Sequence, residues 1–205
     1  MIQANLKPHE KNKTLMNESL VFDKTFKGQD YTKIRLPKAE YENCIFDTCQ
    51  FSHSDITNTT FSECIFIDCD LSNANFTEAT IKETQFKNCK ILGVNFQSCN
   101  PFLLSFNFEK CILNFSSFYQ MKLKKIHYNT CKMIKVEFTE ADLYEAIFTD
   151  CDLENAFFNN TNLEKADFST SYNFTINPEE NKIQKAKFSK ENLAGLLCQY
   201  KLVIK

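Results

Sequence analysis

Large apolar side chains return along this chain every five residues. From Tyr41 the series runs Phe46, Phe51, Ile56, Phe61, Phe66, Leu71, Phe76, Ile81, Phe86, Ile91 and Phe96. The phase then moves by two. From Phe108 it resumes as Leu113, Phe118, Leu123, Tyr128, Met133, Phe138, Leu143, Phe148, Leu153, Phe158, Leu163 and Phe168. With 43% of all residues apolar, an unbroken run of this length is roughly a one-in-a-billion coincidence. Five is neither the helix period nor the strand period. A second position obeys the same rule: two residues before nearly every centre sits a small or modest side chain, as at Cys44, Cys49, Ser54, Thr59, Ala74, Ala141 and Ala166. The unit is small-polar-large-polar-polar, seen plainly in Ala74-Asn75-Phe76-Thr77-Glu78 and Ala141-Asp142-Leu143-Tyr144-Glu145.

This unit resembles the motif of the pentapeptide-repeat family, A(D/N)LXX, in which Cys, Ser, Thr or Val is tolerated first and Phe third. The match spans about residues 21–168. The resemblance implies an all-β fold: a right-handed, four-sided parallel β-helix in which each pentapeptide forms one side and twenty residues form one coil. The large and small residues face inward, and the other three face solvent. Residues twenty apart, or twenty-two across the slip, should then stack. They sort by character as this requires. Phe26, Phe46, Phe66, Phe86, Phe108, Tyr128, Phe148 and Phe168 make an aromatic column. Leu36, Ile56, Phe76, Phe96, Phe118, Phe138 and Phe158 make a second, and the other two are more aliphatic. At a sheet spacing of about 4.8 Å, roughly seven coils give a rod on the order of 35 Å long.

The phase slip falls within 97–103, where Pro101 lacks an N–H and is unsuited to a regular ladder position. It predicts a bulge or short loop between two stacked sections. The repeat region is read as 21–188, since Ala186 and Phe188 return in register, and 189–205 as a C-terminal helix and tail. Ser189 is a candidate N-cap. Leu193, Leu196, Leu197 and Tyr200 follow at helical spacing. That stripe either plugs the end of the rod or also pairs two rods tail to tail. Residues 1–20 read as a loose N-terminal segment.

Composition sharpens the picture in one respect. There are 21 Phe but only 3 Gly, so the corners of the coil must be turned without glycine. The net charge of −2 conceals segregation. Residues 101–135 carry six basic side chains against one acidic, and 136–168 carry nine acidic against one basic. No signal-peptide core and no long apolar run is present, so a cytoplasmic protein with no membrane partner is expected.

Candidate chemistry is sparse. Nine of the ten cysteines, Cys44, Cys49, Cys64, Cys69, Cys89, Cys99, Cys111, Cys131 and Cys151, fall in the small inward slot and read as core packing, not as metal ligands. His9, His53 and His127 are scattered, outward carboxylates read as solvated, and three glycines cannot build a phosphate loop. No catalytic residue, cofactor site or metal site is therefore assigned, and the expectation is a protein that is not an enzyme. The lysines Lys110, Lys122, Lys124, Lys125, Lys132 and Lys135 form a basic band, either a solvated surface or a dock for an acidic partner.

In length and layout the chain is similar to the Qnr/MfpA branch of the family. That resemblance implies a homodimer, joined through the C-terminus, that binds DNA gyrase or topoisomerase IV as a DNA mimic, without contacting nucleic acid, and protects them from quinolones. The acidic stretch then suggests Asp142, Glu145, Asp150, Asp152 and Glu154 as the partner surface. The other reading is a structural scaffold or spacer rod with no topoisomerase role.

Overall fold

The computed structural model describes residues 19–203. Its strands are two to four residues long and every pairing is parallel. Val21 pairs Tyr41, Phe46 pairs Phe66, and Tyr128 pairs Phe148, each a step of twenty residues. Across the slip the step is twenty-two, with Phe86 opposite Phe108. One sheet runs the length of the rod through nine strands, from Thr25–Lys27 to Lys187–Phe188. On another side four strands, Ser19–Phe22, Ala39–Glu42, Thr60–Ser62 and Thr80–Lys82, form a sheet that stops at the slip. Isolated parallel bridges join the remaining sides, again at twenty or twenty-two. The chain is thus a four-sided β-solenoid. We number its sides by their central residues: the first holds Phe46, the second Phe51, the third Ile56 and the fourth Phe61.

The expected inward columns are buried from Leu36 onward, and Phe26, on the first described coil, is half-buried. On the first side the rings stack face to face: Phe46 on Phe66 at 4.7 Å, Phe66 on Phe86 at 5.0 Å, Phe86 on Phe108 at 5.2 Å and Tyr128 on Phe148 at 4.9 Å. From Phe108 to Phe168 each ring meets the third-side column edge-on, as Phe118 meets Tyr128 at 5.9 Å, while Phe46 and Phe66 meet Phe51 and Phe61 of the neighbouring sides in the same way. Both arrangements are favourable for the aromatic quadrupole.

The corners are turned by ordinary residues in the left-handed region. The last residue of nearly every unit has φ near +55°, among them Asn43, Thr48, Asn58, Glu63, Lys110, Lys135 and Asp150. This conformation costs a non-glycine residue about 1–2 kcal/mol. In return the corner N–H points along the rod and donates to the next coil, as Asn43 does to the Ser62 carbonyl at 2.9 Å and Lys135 to the Glu154 carbonyl at 2.9 Å. Such bonds use backbone groups that would otherwise be orphaned.

The small slot has its own rule. Its side chain donates to the carbonyl of the large centre one coil below: Cys69 Sγ to Phe46 at 3.2 Å, Ser116 Oγ to Ile91 at 2.7 Å, Thr161 Oγ1 to Phe138 at 2.9 Å. Alanine fits by volume, and Cys, Ser and Thr fit by volume and by hydrogen bond.

The slip is a short loop over 99–105. It leaves Phe102 and Leu103 68% and 57% exposed. Phe106 stands where the small residue belongs, opposite Thr84, and its ring packs between Phe96 and Phe108. It fills the room left by the missing fourth-side centre.

The far end departs from strict repetition. Asn173 takes a left-handed turn at the position of a large centre, and Phe174 turns inward instead. The C-terminal segment forms two short 3₁₀ turns, Leu193–Leu196 and Cys198–Tyr200. Ser189 Oγ accepts the Asn192 N–H at 3.3 Å, but it does not cap a helix: the first turn begins after Asn192, whose side chain makes no capping bond. The turns sit close on the last coil. Ile176 donates to the Gly195 carbonyl at 3.0 Å, and a Cβ at Gly195 would lie 2.3 Å from the Phe174 carbonyl oxygen. Among the described residues no helix is long and apolar enough to cross a membrane.

Candidate functional site

Three of every five residues face solvent, so each side of the rod is a stack of outward residues whose chemistry can be read coil by coil. The five carboxylates singled out from sequence do not share a side. Asp142 and Glu145 belong to the fourth side, Asp150 to a corner of the first, and Asp152 and Glu154 to the second. A run that is continuous in sequence is wound around the rod. Several are also neutralised from neighbouring coils. Lys124 lies 3.3 Å from Asp142, and Lys125 and Lys165 lie 3.7 and 2.9 Å from Glu145. The hydrogen bond from Lys165 holds the Glu145 carboxyl below its ordinary range. Asp152 accepts from the Asn173 side chain at 2.9 Å. The lysine band is divided in the same way: Lys122, Lys124 and Lys125 are on the fourth side, whereas Lys132 and Lys135 are on the second.

The third side is different. From Asp55 to Glu180 its outward residues span seven coils and include no Lys, Arg or His. They carry Asp55, Glu78, Glu137, Glu140, Glu179 and Glu180, interleaved with Asn, Gln, Ser and Thr. Six coil steps at sheet spacing make this strip about 29 Å long. Arg35 pairs with Asp55 at 2.5 Å at one end, leaving the rest without a cation of its own side. Gln120 Nε2 donates to Glu140 at 2.7 Å and Tyr200 to Glu179 at 2.6 Å, which fixes these carboxylates without cancelling their charge. Phe157 stands exposed among them. Sorting charges by residue number modulo twenty, with two subtracted from every number beyond the slip, would have found this strip in the sequence.

At the C-terminal end Leu196 packs against the core, while Leu193, Leu197 and Tyr200 are exposed, together with Leu202 and Val203. The apolar stripe is therefore divided between the rod's own end and solvent.

The nine slot cysteines are buried and Cys198 is exposed. Burial pushes the Cys64 and Cys99 thiols up to about 12. Among the described residues no group of His, Cys, Asp and Glu is arranged to hold a metal ion. His53 and His127 are exposed on different sides, and His9 lies outside the described residues.

Comparison with solved structures places the fold among known proteins. Two trypsin-treated variants of QnrB1, a plasmid-mediated fluoroquinolone resistance protein, superpose with TM-scores of 0.60 and 0.61. Each is 17% identical, over 92% of this chain and 98% of the other. HetL, a pentapeptide-repeat protein involved in heterocyst differentiation regulation in the cyanobacterium Nostoc, aligns over 83% of this chain and 84% of its own at 15% identity, with a TM-score of 0.46. No curated protein matches by sequence. At 17% identity the likeness to QnrB1 is one of fold. Two family models, a pentapeptide repeat region and an eight-copy array of pentapeptide repeats, match residues 59–129 and 131–169, more than half of the 205 residues between them. With the twenty-residue register, the inward slots and these matches in hand, the chain belongs to the pentapeptide-repeat family.

Proposed function

We propose that this protein is a non-enzymatic binding module, and that its third side docks on the cationic DNA path of a type II topoisomerase in place of DNA. The observation that carries this reading is the strip free of cations from Asp55 to Glu180. A surface that binds phosphates must be rich in Lys and Arg. A strip with carboxylates on four of its seven coils and no lysine among them is the complement of such a surface, and it steers association at low salt. The other three sides mix lysines with acids and lack this property. The likeness to QnrB1 in fold and length agrees with the reading, which rests on the charge pattern. In the same proposal, Leu193, Leu197 and Tyr200 join two rods end to end, while Leu196 caps each one.

The test is gyrase supercoiling with the purified protein, with and without a quinolone. The native protein should inhibit supercoiling or relieve the drug. The pair Glu137→Lys and Glu140→Lys should weaken that effect by about tenfold or more. The pair Asp150→Lys and Glu154→Lys, on other sides, should leave it within about twofold. Equal losses from both pairs, or no effect of the native protein well above micromolar, would remove the reading.

A further inference from the structure

The slip does more than lengthen one coil; it opens the fourth side. Elsewhere in the upper half of the rod each junction on this side is closed by three ladder bonds. Between 121–125 and the coil above, Leu123 N donates to Asp142 at 2.8 Å, Asp142 N to Met121 at 2.8 Å and Lys125 N to Tyr144 at 2.9 Å. The next junction repeats them from Leu143, Asn162 and Glu145, at 2.8, 2.9 and 3.0 Å. Below 121–125, where the slip loop lies, none of the three is made. Among the described residues the Lys122 N–H and the Lys122 and Lys124 carbonyls have no backbone or side-chain partner. One rung of the ladder is missing, and the backbone edge that would receive it is left facing out.

The gap is a real opening. A cleft of about 550 Å³ lies between the loop at Leu104–Asn107 and the segment Lys122–Ile126, with Lys122, Lys124 and Lys125 along that segment and Glu63 and Glu83 on the coils below, and a second of about 270 Å³ continues from Leu104 and Lys122 toward Pro101 and Tyr119. It reaches the core. Leu123 is 5% exposed where its column-mates Leu143 and Leu163 are at 0%, and Met121 is 7% exposed where Ala141 is at 1%.

We propose that this cleft binds an extended segment of a partner protein, which adds the missing rung by strand pairing. The chemistry selects the segment. Its main chain must offer N–H groups to the Lys122 and Lys124 carbonyls and a carbonyl to the Lys122 N–H. An apolar side chain must enter between Leu104 and Leu123, and carboxylates must meet Lys122, Lys124 and Lys125. Lys122 has no acidic partner among the described residues, and the ion pairs of Lys124 and Lys125 to Asp142 and Glu145 are solvent-exposed and easily shared. The occupant is therefore an extended, acidic peptide with one buried apolar residue. The site lies on the fourth side, and its occupant is independent of whether a topoisomerase is the partner of the third-side strip.

The probe is a synthetic peptide of residues 139–147, acetylated and amidated, because that segment carries Asp142, Leu143 and Glu145 and already pairs with Met121–Lys125 from above. Titrated into the full chain, it should shift the amide signals of Lys122, Lys124 and Leu104 saturably, with a dissociation constant on the order of 100 µM, and should slow exchange of the Lys122 amide. Replacing its acids by amides, or N-methylating its leucine, should each weaken binding by about tenfold. A closed variant supplies the decisive control. Removing Phe102 and Leu103 with Pro101→Leu and Phe106→Ala restores a twenty-residue coil, gives the new leucine the room that the Phe106 ring occupies, and fills the rung, so it should fold at least as stably and lose binding. No saturable shift at millimolar peptide, binding insensitive to both peptide changes, or undiminished binding to the closed variant would each overturn the proposal.

Discussion

Replacing Phe86 with alanine tests the stacked core directly. Phe86 is buried, with Phe66 at 5.0 Å below it and Phe108 at 5.2 Å above, both nearly parallel to it. Loss of a buried Phe side chain costs about 3–5 kcal/mol, depending on how far the site collapses. Here collapse is resisted, because the ladder holds successive coils about 4.8 Å apart whatever fills the space between them. Two stacks are also lost, each worth about 0.5–1.5 kcal/mol beyond its buried area. The cost should therefore lie in the upper half of that range, about 4–5 kcal/mol. Phe86→Leu keeps most of the volume and should cost about 1.5 kcal/mol. Gln85→Ala, one residue away and exposed on the same strand, should stay within about 0.5 kcal/mol. Urea unfolding followed by circular dichroism measures all three. A Phe86→Ala cost below about 1.5 kcal/mol, or one equal to that of Gln85→Ala, would refute the stacked-core argument.

Tyr128 is buried between Phe108 and Phe148, and its hydroxyl has no hydrogen-bond partner among the described residues, so Tyr128→Phe should stabilise the protein by about 1 kcal/mol in the same assay. A native-state reaction with a thiol reagent at mildly alkaline pH should modify Cys198 alone, and the nine slot cysteines only after denaturant is added; rapid labelling of most thiols without denaturant would contradict their placement.

Much of this architecture was legible because one number, five, governs both the inward centres and the small slots. From Tyr41 to Phe168 the column assignments hold residue by residue. The slip at 97–103 was visible as a change of phase, and Pro101 marked it. That Phe106 would enter a small slot was not visible, since the reason lies in a void made by a side missing from another coil. The C-terminal stripe has helical spacing, yet Gly195 must approach the Phe174 carbonyl, and the segment tightens into 3₁₀ turns. The acidic stretch is divided among the sides for a geometric reason. Neighbours in sequence turn a corner every five residues, so Asp142, Asp150 and Asp152 diverge while Glu140 and Glu180 align.

The left-handed corners have a consequence for how such a rod can change over generations. Because corner geometry is set by a main-chain bond along the axis and asks only for a tolerable side chain, Lys, Glu, Asn, Asp, Thr and even Phe115 all serve there. Three outward positions in each unit are released from structural duty. The rod then behaves as a printing plate: characters can be reset one at a time, on a lattice about 4.8 Å by one pentapeptide, while the plate itself keeps its shape. Two chains with the same core can thus present unrelated text to their partners along the faces of the rod.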